Sequence, residues 1–243
     1  MSEKYTVAFL GLGHMGGPMA ANLARAGHRV VGFDVVPAAL EAARANGIPV
    51  AENAAGAVAG ADVVLTMFPS GRHVLDAYRG TDGGPGLLAA AAQGTMFLDC
   101  STINVDEARD AAQLALDAGH RSADAPVSGG VVGAEAGTLT FMVGGGADDF
   151  EAVKPLLEAM GKRIVHCGGH GAGQAAKVCN NLILGVSMIA VSEAFVLGEK
   201  LGLTHQALFD VASAASGQCW ALTTNCPVPG PVPTSPANRD YQP

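Results

Sequence analysis

Positive charge is scarce in this chain: 14 Lys plus Arg stand against 22 Asp plus Glu, a formal net charge of -8, and no basic run occurs. Phosphate backbones and anionic lipid surfaces are bound by clustered cations, so this balance argues against nucleic-acid and membrane partners. The cysteines, Cys100, Cys167, Cys179, Cys219 and Cys226, form no CxxC pair and no cluster with histidine. That pattern predicts no metal site and a reducing, cytoplasmic setting. Long hydrophobic runs are also lacking, since the longest, Leu182 to Ala190, is about half a membrane span. The start, MSEKYTVAFLGLG, enters a strand-like run without the basic and apolar segments of a leader. Tryptophan occurs once, at Trp220, where it either walls a pocket or fills a core.

Glycine and apolar side chains are abundant. With 243 residues and 49% hydrophobic content, the chain has enough material for one large domain or two smaller ones. Tyr5 to Leu10 reads as a short buried strand, and Gly11, Gly13 and Gly16 follow it at GxGxxG spacing within GLGHMGGPMA. A helical pattern then runs from Met15 to Ala26 and stops at Gly27, and RVVGFD forms the next strand, ending at Asp34. In this arrangement the first glycine permits a tight turn, the second lets the backbone approach a pyrophosphate, and the third lets helix and strand pack closely. Gly11, Leu12, Gly13, His14, Met15 and Gly16 are therefore the candidate dinucleotide cradle. Asp34 selects among dinucleotides, because a carboxylate accepts from ribose hydroxyls and repels a 2'-phosphate. No Lys or Arg follows it immediately, so NAD is expected ahead of NADP, with FAD third.

Strand and helix patterns continue to alternate. Ala38 to Asn46 reads as a helix, ADVVLTMFP and GTMFLDCST as strands, RSADAPVSGG as a short strand running into a glycine pair, and TLTFMVGG and RIVHCGG as two more strands around a helix. The fold class is α/β, a Rossmann-type domain over residues 1–168 followed by an all-helical domain over 169–243. In such sheets ligands bind beyond the carboxyl ends of the strands, where MFP, DCST and PVSGG all fall. Ser128, Gly129 and Gly130 form either an anion-binding concavity or a plain turn. Thr102 either faces cofactor and substrate or caps a helix ahead of Asp106 and Glu107.

From Gln174 to Leu201 there is no proline, and Val178, Leu182, Val186, Ile189, Phe195 and Val196 recur near helical spacing, which predicts a long buried helix. Glycines at 168, 169, 171 and 173 precede it and are expected to let the chain pass close to the cofactor. GQAAKVCNN places Lys177 near its start, with Asn181 four residues on and sharing its face. A lysine among Ala175, Ala176, Val178 and Cys179 is short of water, which lowers its pKa and makes the neutral amine available as a base. The alternative is a lysine snorkelling from a first helical turn. Glu193, Glu199 and Lys200 read as solvated, Met188 as core, SGQCW as a helix end, and the proline-rich NCPVPGPVPTSPANRDYQP as irregular.

GLGHMGGPMAANL, DCSTI, DAPVSGG, GTLTFMVGG and GxGQAAKVCNN together resemble the β-hydroxyacid dehydrogenase family along the whole chain. With SGQCW and NCPVPG, the resemblance is to its 3-hydroxyisobutyrate dehydrogenases rather than to tartronate semialdehyde reductases or 6-phosphogluconate dehydrogenases. It implies NAD-dependent oxidation of (S)-3-hydroxyisobutyrate to methylmalonate semialdehyde in valine catabolism. By that similarity Lys177 is the catalytic lysine, Ser128, Gly129, Gly130 and Asn181 hold the substrate carboxylate, and Met67, Phe68 and Thr102 line the nicotinamide side. The resemblance leaves two other activities open, a reductase of tartronate or succinate semialdehyde and a non-catalytic NAD-binding protein. Members of the family continue past ANRDYQP into a glycine-rich turn and a helix that closes over the cofactor, so a chain ending there is expected to bind cofactor more weakly. The expected partners are a small hydroxy acid and copies of the chain itself, as a homodimer or homotetramer.

Overall fold

The computed structural model describes residues 4–81 and 84–239. Strand β1 (Thr6–Leu10) is followed by α1 (Gly16–Arg25), β2 (Arg29–Phe33), α2 (Pro37–Ala45), α3 (Ala54–Val58), β3 (Val63–Thr66) and α4 (Gly71–Arg79). The short pair β4 (Gly80–Thr81) and β5 (Gly84–Pro85) leads to α5 (Leu87–Ala90), β6 (Met96–Asp99), α6 (Val105–Asp117), β7 (Arg121–Asp124), β8 (Val127–Ser128) and α7 (Gly130–Ala136). Then come β9 (Leu139–Gly144), α8 (Ala147–Glu158), β10 (Gly161–Gly168), α9 (Ala172–Lys200), α10 (His205–Ala214) and α11 (Trp220–Thr223). The chain divides into two compact units, Met1–Lys177 and Val178–Pro243, with α9 continuous across the division.

In the first unit the sheet order is β10-β9-β7-β6-β3-β1-β2, with β8 paired to β9. Strands β1, β2, β3, β6 and β7 run parallel, and β9 reverses against β7. Alternate side chains of a strand point to opposite faces, and both faces here are apolar. Val7, Phe9, Val63, Leu65, Met96 and Leu98 pack on one side against Met19 and Leu23 of α1 and Leu156 of α8. Ala8, Leu10, Val64 and Phe97 pack on the other against Val74 and Tyr78 of α4 and Ala111 of α6. Two covered faces explain why these strands read as continuous apolar runs instead of alternating ones.

The second unit has a small core of Phe195, Leu222, Cys226 and Val232. Thr204 caps α10, its Oγ1 accepting from Ala207 N at 3.2 Å. Among its described residues the proline-rich tail holds only a three-residue 3-10 turn, Pro236–Asn238, yet it folds back through Ser235 Oγ donating to Cys226 O at 2.5 Å. Its last four residues lie outside the described ones, as do the first three of the chain.

Three expectations change here. The long helix is not buried within this chain: Leu182 is 66% and Ile189 62% exposed, while Phe195 alone of the six marker residues is fully covered. A 66-residue unit is too small to wrap a 29-residue helix on all sides, so one apolar face stays open. The helix is also long and apolar enough by composition to cross a membrane, unlike the nine-residue run read from the sequence. Finally, SGQCW links α10 to α11 instead of ending a helix, and Trp220, 53% exposed, fills no core.

Candidate active site

Gly11 has φ 91° and lies so close to Met67 that a Cβ would collide with the Met67 carbonyl oxygen. Gly16 likewise packs on the Gly11 carbonyl and Phe9, whereas a Cβ on Gly13 would meet nothing within 4 Å. Two glycines therefore close the turn and one leaves space above it, which is the arrangement a pyrophosphate needs. Leu12 sends its side chain into the core and its N–H to Asp34 Oδ2 at 2.6 Å, while Val36 N donates to Asp34 Oδ1 at 2.8 Å. The carboxylate is thus fixed beside the glycine turn. A cleft of about 640 Å³ opens there, walled by Leu12, Gly13, His14, Asp34, Val36 and Arg25 among others. Arg25 donates to Asn22 Oδ1, so its charge is engaged within its own helix. The site fits NAD: the glycine turn would cradle the phosphates, and Asp34 would take the ribose hydroxyls.

The loops after β3 and β6 are joined by a buried network. Asp99 Oδ1 accepts from Thr66 Oγ1 at 2.7 Å and from Ser101 Oγ at 2.6 Å, and Ser101 Oγ accepts from Phe68 N at 2.8 Å. Met67 N donates to Leu10 O at 2.9 Å, which sets Met67 and Phe68 beside the glycine turn. Thr102 projects from the same edge and is exposed. It does not cap α6; Asn104 does, in a capping box with Glu107.

Burial raises the Asp99 carboxyl to about 6 from 3.8, against the opposing bonds from Ser101 and Thr66, and its Oδ2 has no partner among the described residues. Between those values the folded protein holds a proton that the unfolded chain releases. Stability from this group is therefore gained as pH falls through about 6 and is worth on the order of 3 kcal/mol once pH nears 3.8. Urea unfolding of wild type and Asp99→Asn between about pH 7.5 and about pH 4.5 should show wild type gaining on the variant by this order. Parallel pH dependences would mean that Asp99 titrates normally.

Ser128 ends β8, and Gly129 and Gly130 follow with φ 137° and 62°, both in the region that favours glycine. Gly129 and Gly130 are exposed, and a Cβ on Gly130 would meet nothing within 4 Å.

Lys177 stands in the second turn of α9. The start of that helix is held by Asp124, whose Oδ1 accepts from Gly171 N at 2.6 Å and Oδ2 from Gln174 N at 2.9 Å. Burial raises the Asp124 carboxyl, and these backbone bonds oppose the shift. Gly173, in the first turn of the helix, serves this packing: a Cβ there would strike the Met142 carbonyl oxygen and come within 2.7 Å of Asp124 Oδ2. Lys177 is half-buried, forms no ion pair among the described residues, and loses hydration, which lowers its pKa from 10.5. Asn180 and Asn181 are exposed. Asp99, Asp124 and Gln174 were not singled out in the sequence; the first two hide in DCST and DAPVSGG as ordinary strand-end acids.

A dinucleotide cleft together with a partly desolvated lysine defines the class, an NAD-dependent oxidoreductase. Comparisons with known proteins agree. Residues 6–169 match the NAD binding domain of 6-phosphogluconate dehydrogenase, and residues 171–243 match the NAD-binding of NADP-dependent 3-hydroxyisobutyrate dehydrogenase. A probable 3-hydroxyisobutyrate dehydrogenase of Mycobacterium tuberculosis is 58% identical over 98% of this chain and 79% of its own length. An NAD-dependent L-serine dehydrogenase of Pseudomonas aeruginosa is 49% identical over 97% of this chain and 78% of its own length. A solved structure of Mycobacterium tuberculosis 3-hydroxyisobutyrate dehydrogenase with L-serine superposes with a TM-score of 0.94 at 56% identity, covering 99% of this chain and 81% of that one. The chain belongs to the 3-hydroxyisobutyrate dehydrogenase family, and it acts on a small hydroxy acid with NAD. One family description names NADP, but the fixed Asp34 carboxylate stands where a 2'-phosphate would be repelled.

Proposed function

We propose that the protein oxidises the terminal hydroxyl of (S)-3-hydroxyisobutyrate to methylmalonate semialdehyde, with Lys177 as general base. The observation that carries this reading is a half-buried lysine with lowered pKa and no ion-pair partner among the described residues, on a helix clamped to the ligand-binding edge of the sheet. NAD, when bound, supplies the acceptor for the hydride leaving the CH2OH carbon. Lys177 Nζ takes the hydroxyl proton as the carbonyl forms, and in the reverse direction its ammonium returns that proton. Ser128, Gly129 and Gly130, with Asn181 one helical turn past Lys177, are read as the carboxylate holders that orient the carbon. Met67, Phe68 and Thr102 are read as the nicotinamide wall. The chain is read as a soluble cytoplasmic protein whose open face on α9 meets another copy in a homodimer or homotetramer.

L-serine is the second reading, because a 49% identical relative bears that activity in its name and L-serine accompanies the similar solved structure. Both substrates carry a CH2OH group beside a carboxylate-bearing carbon, and they differ in a methyl against an ammonium. NADH formation with 3-hydroxyisobutyrate, L-serine, glycerate and 4-hydroxybutyrate should give the highest kcat/KM for 3-hydroxyisobutyrate. A higher value for L-serine would transfer the assignment to the second reading.

A further inference from the structure

The Gln174 side chain is fully buried, and both ends of its amide are used. Its Nε2 donates to Ser101 O at 2.7 Å and its Oε1 accepts from Ile103 N at 3.2 Å. These two backbone groups flank Thr102, so a single amide grips the loop on either side of that residue. Ser101 in turn holds Phe68 N through its hydroxyl. Gln174 N is bound by Asp124, which leaves the first turn of α9 no freedom to rotate without breaking a buried bond. Lys177 lies three residues further, about 4.5 Å along the helix axis.

We infer that Gln174 is a positioning residue, which registers the Lys177 amine against the loops carrying Phe68 and Thr102. It touches no reacting atom itself. Helix termini fray unless their first turns are tied, and the tie here is made to the loop assigned to the cofactor instead of to a distant part of the core. The inference rests on the reading of Lys177 as the base, and it adds what fixes that base in space.

Gln174→Met keeps the volume and removes both side-chain bonds. Gln174→Asn keeps the amide on a stem one carbon shorter and is the milder variant should the first fail to fold. Two readouts are needed. In steady-state oxidation with saturating NAD, kcat should fall tenfold or more, toward the roughly hundredfold cost of an ångström-scale misplacement, with KM little changed. In cofactor-free protein, labelling of Lys177 by an amine reagent, followed across pH by peptide mass spectrometry, should shift its midpoint upward as the helix start loosens and the amine regains water. A folded variant with wild-type kcat and an unchanged labelling midpoint overturns the inference, even if its stability is lower. Lys177→Ala measured alongside separates the two readings: full activity there would remove Lys177 as base, while the labelling shift would still decide whether Gln174 holds it.

Discussion

Replacing Lys177 with alanine should lower kcat for oxidation by about 10² to 10⁴ while leaving NAD affinity nearly unchanged. The affinity should survive because the glycine turn and Asp34 belong to other elements of the sheet unit. With Lys177 as the proposed base, rate depends on the amine because an alcohol does not lose hydride readily while it keeps its proton. Lys177→Arg sharpens the test, since a guanidinium retains the positive charge but does not deprotonate near neutrality. If the lysine served only to attract the substrate carboxylate, arginine would restore much of the rate; if it is the base, arginine should be as slow as alanine. The pH dependence has a definite sign. Burial lowers the Lys177 pKa below 10.5, so oxidation should rise with pH through that lowered value as the neutral amine becomes available. Reduction of the aldehyde should fall over the same range, because it draws on the ammonium. Absorbance assays of NADH in both directions, beside calorimetric titration with NAD, measure all of this. Opposite slopes that persist in the alanine variant would show that another group titrates.

The sheet was readable because its chemistry is local. GLGHMGG, flanked by two strand patterns and followed by Asp34, fixes turn, helix and strand within some thirty residues, and the structure puts each where the spacing requires. The partial burial of Lys177 was readable for a related reason, since the alanines around it signal poor hydration before any neighbour is known. What stayed hidden depends on contacts between distant segments. Asp124 looks like a strand-end acid until its carboxylate is seen holding Gly171 and Gln174, some fifty residues away. The Asp99 network joins the ends of two strands, and nothing in DCST distinguishes the acid that accepts three bonds from one facing water. Helical periodicity of apolar residues showed that α9 has a sticky face but not where its cover lies; Val186 and Leu182 are as exposed as ordinary surface residues. Glycine is the subtlest case. The run from Gly168 to Gly173 reads as room for a ligand, but at Gly171 and Gly173 the missing side chains make room for Arg109, Met142 and Asp124 of the protein itself.

That last point yields the second large effect: Gly173→Ala should reduce kcat by about a hundredfold, out of proportion to the single methyl it adds. A Cβ at this position would overlap the Met142 carbonyl oxygen and crowd Asp124, 2.7 Å from Oδ2 and 3.0 Å from its carbonyl oxygen. None of these atoms sits at the end of a flexible chain. The Met142 oxygen belongs to a strand paired on both sides, and the carboxylate already holds the helix start. Relief must therefore come from the helix, which has to lift from the sheet edge by roughly an ångström and so carry Lys177, the proposed base, out of its register with that edge. Overpacking of this kind costs about 1–3 kcal/mol of stability, small enough for the sheet unit to stay folded. The variant should accordingly keep NAD affinity and most of its unfolding midpoint while losing turnover. Gly169→Ala is the matched control, because a Cβ there would meet nothing within 4 Å. If both variants turn over at the wild-type rate, the start of α9 is more compliant than its buried bonds indicate, and the position of Lys177 is set by something other than its grip on the sheet.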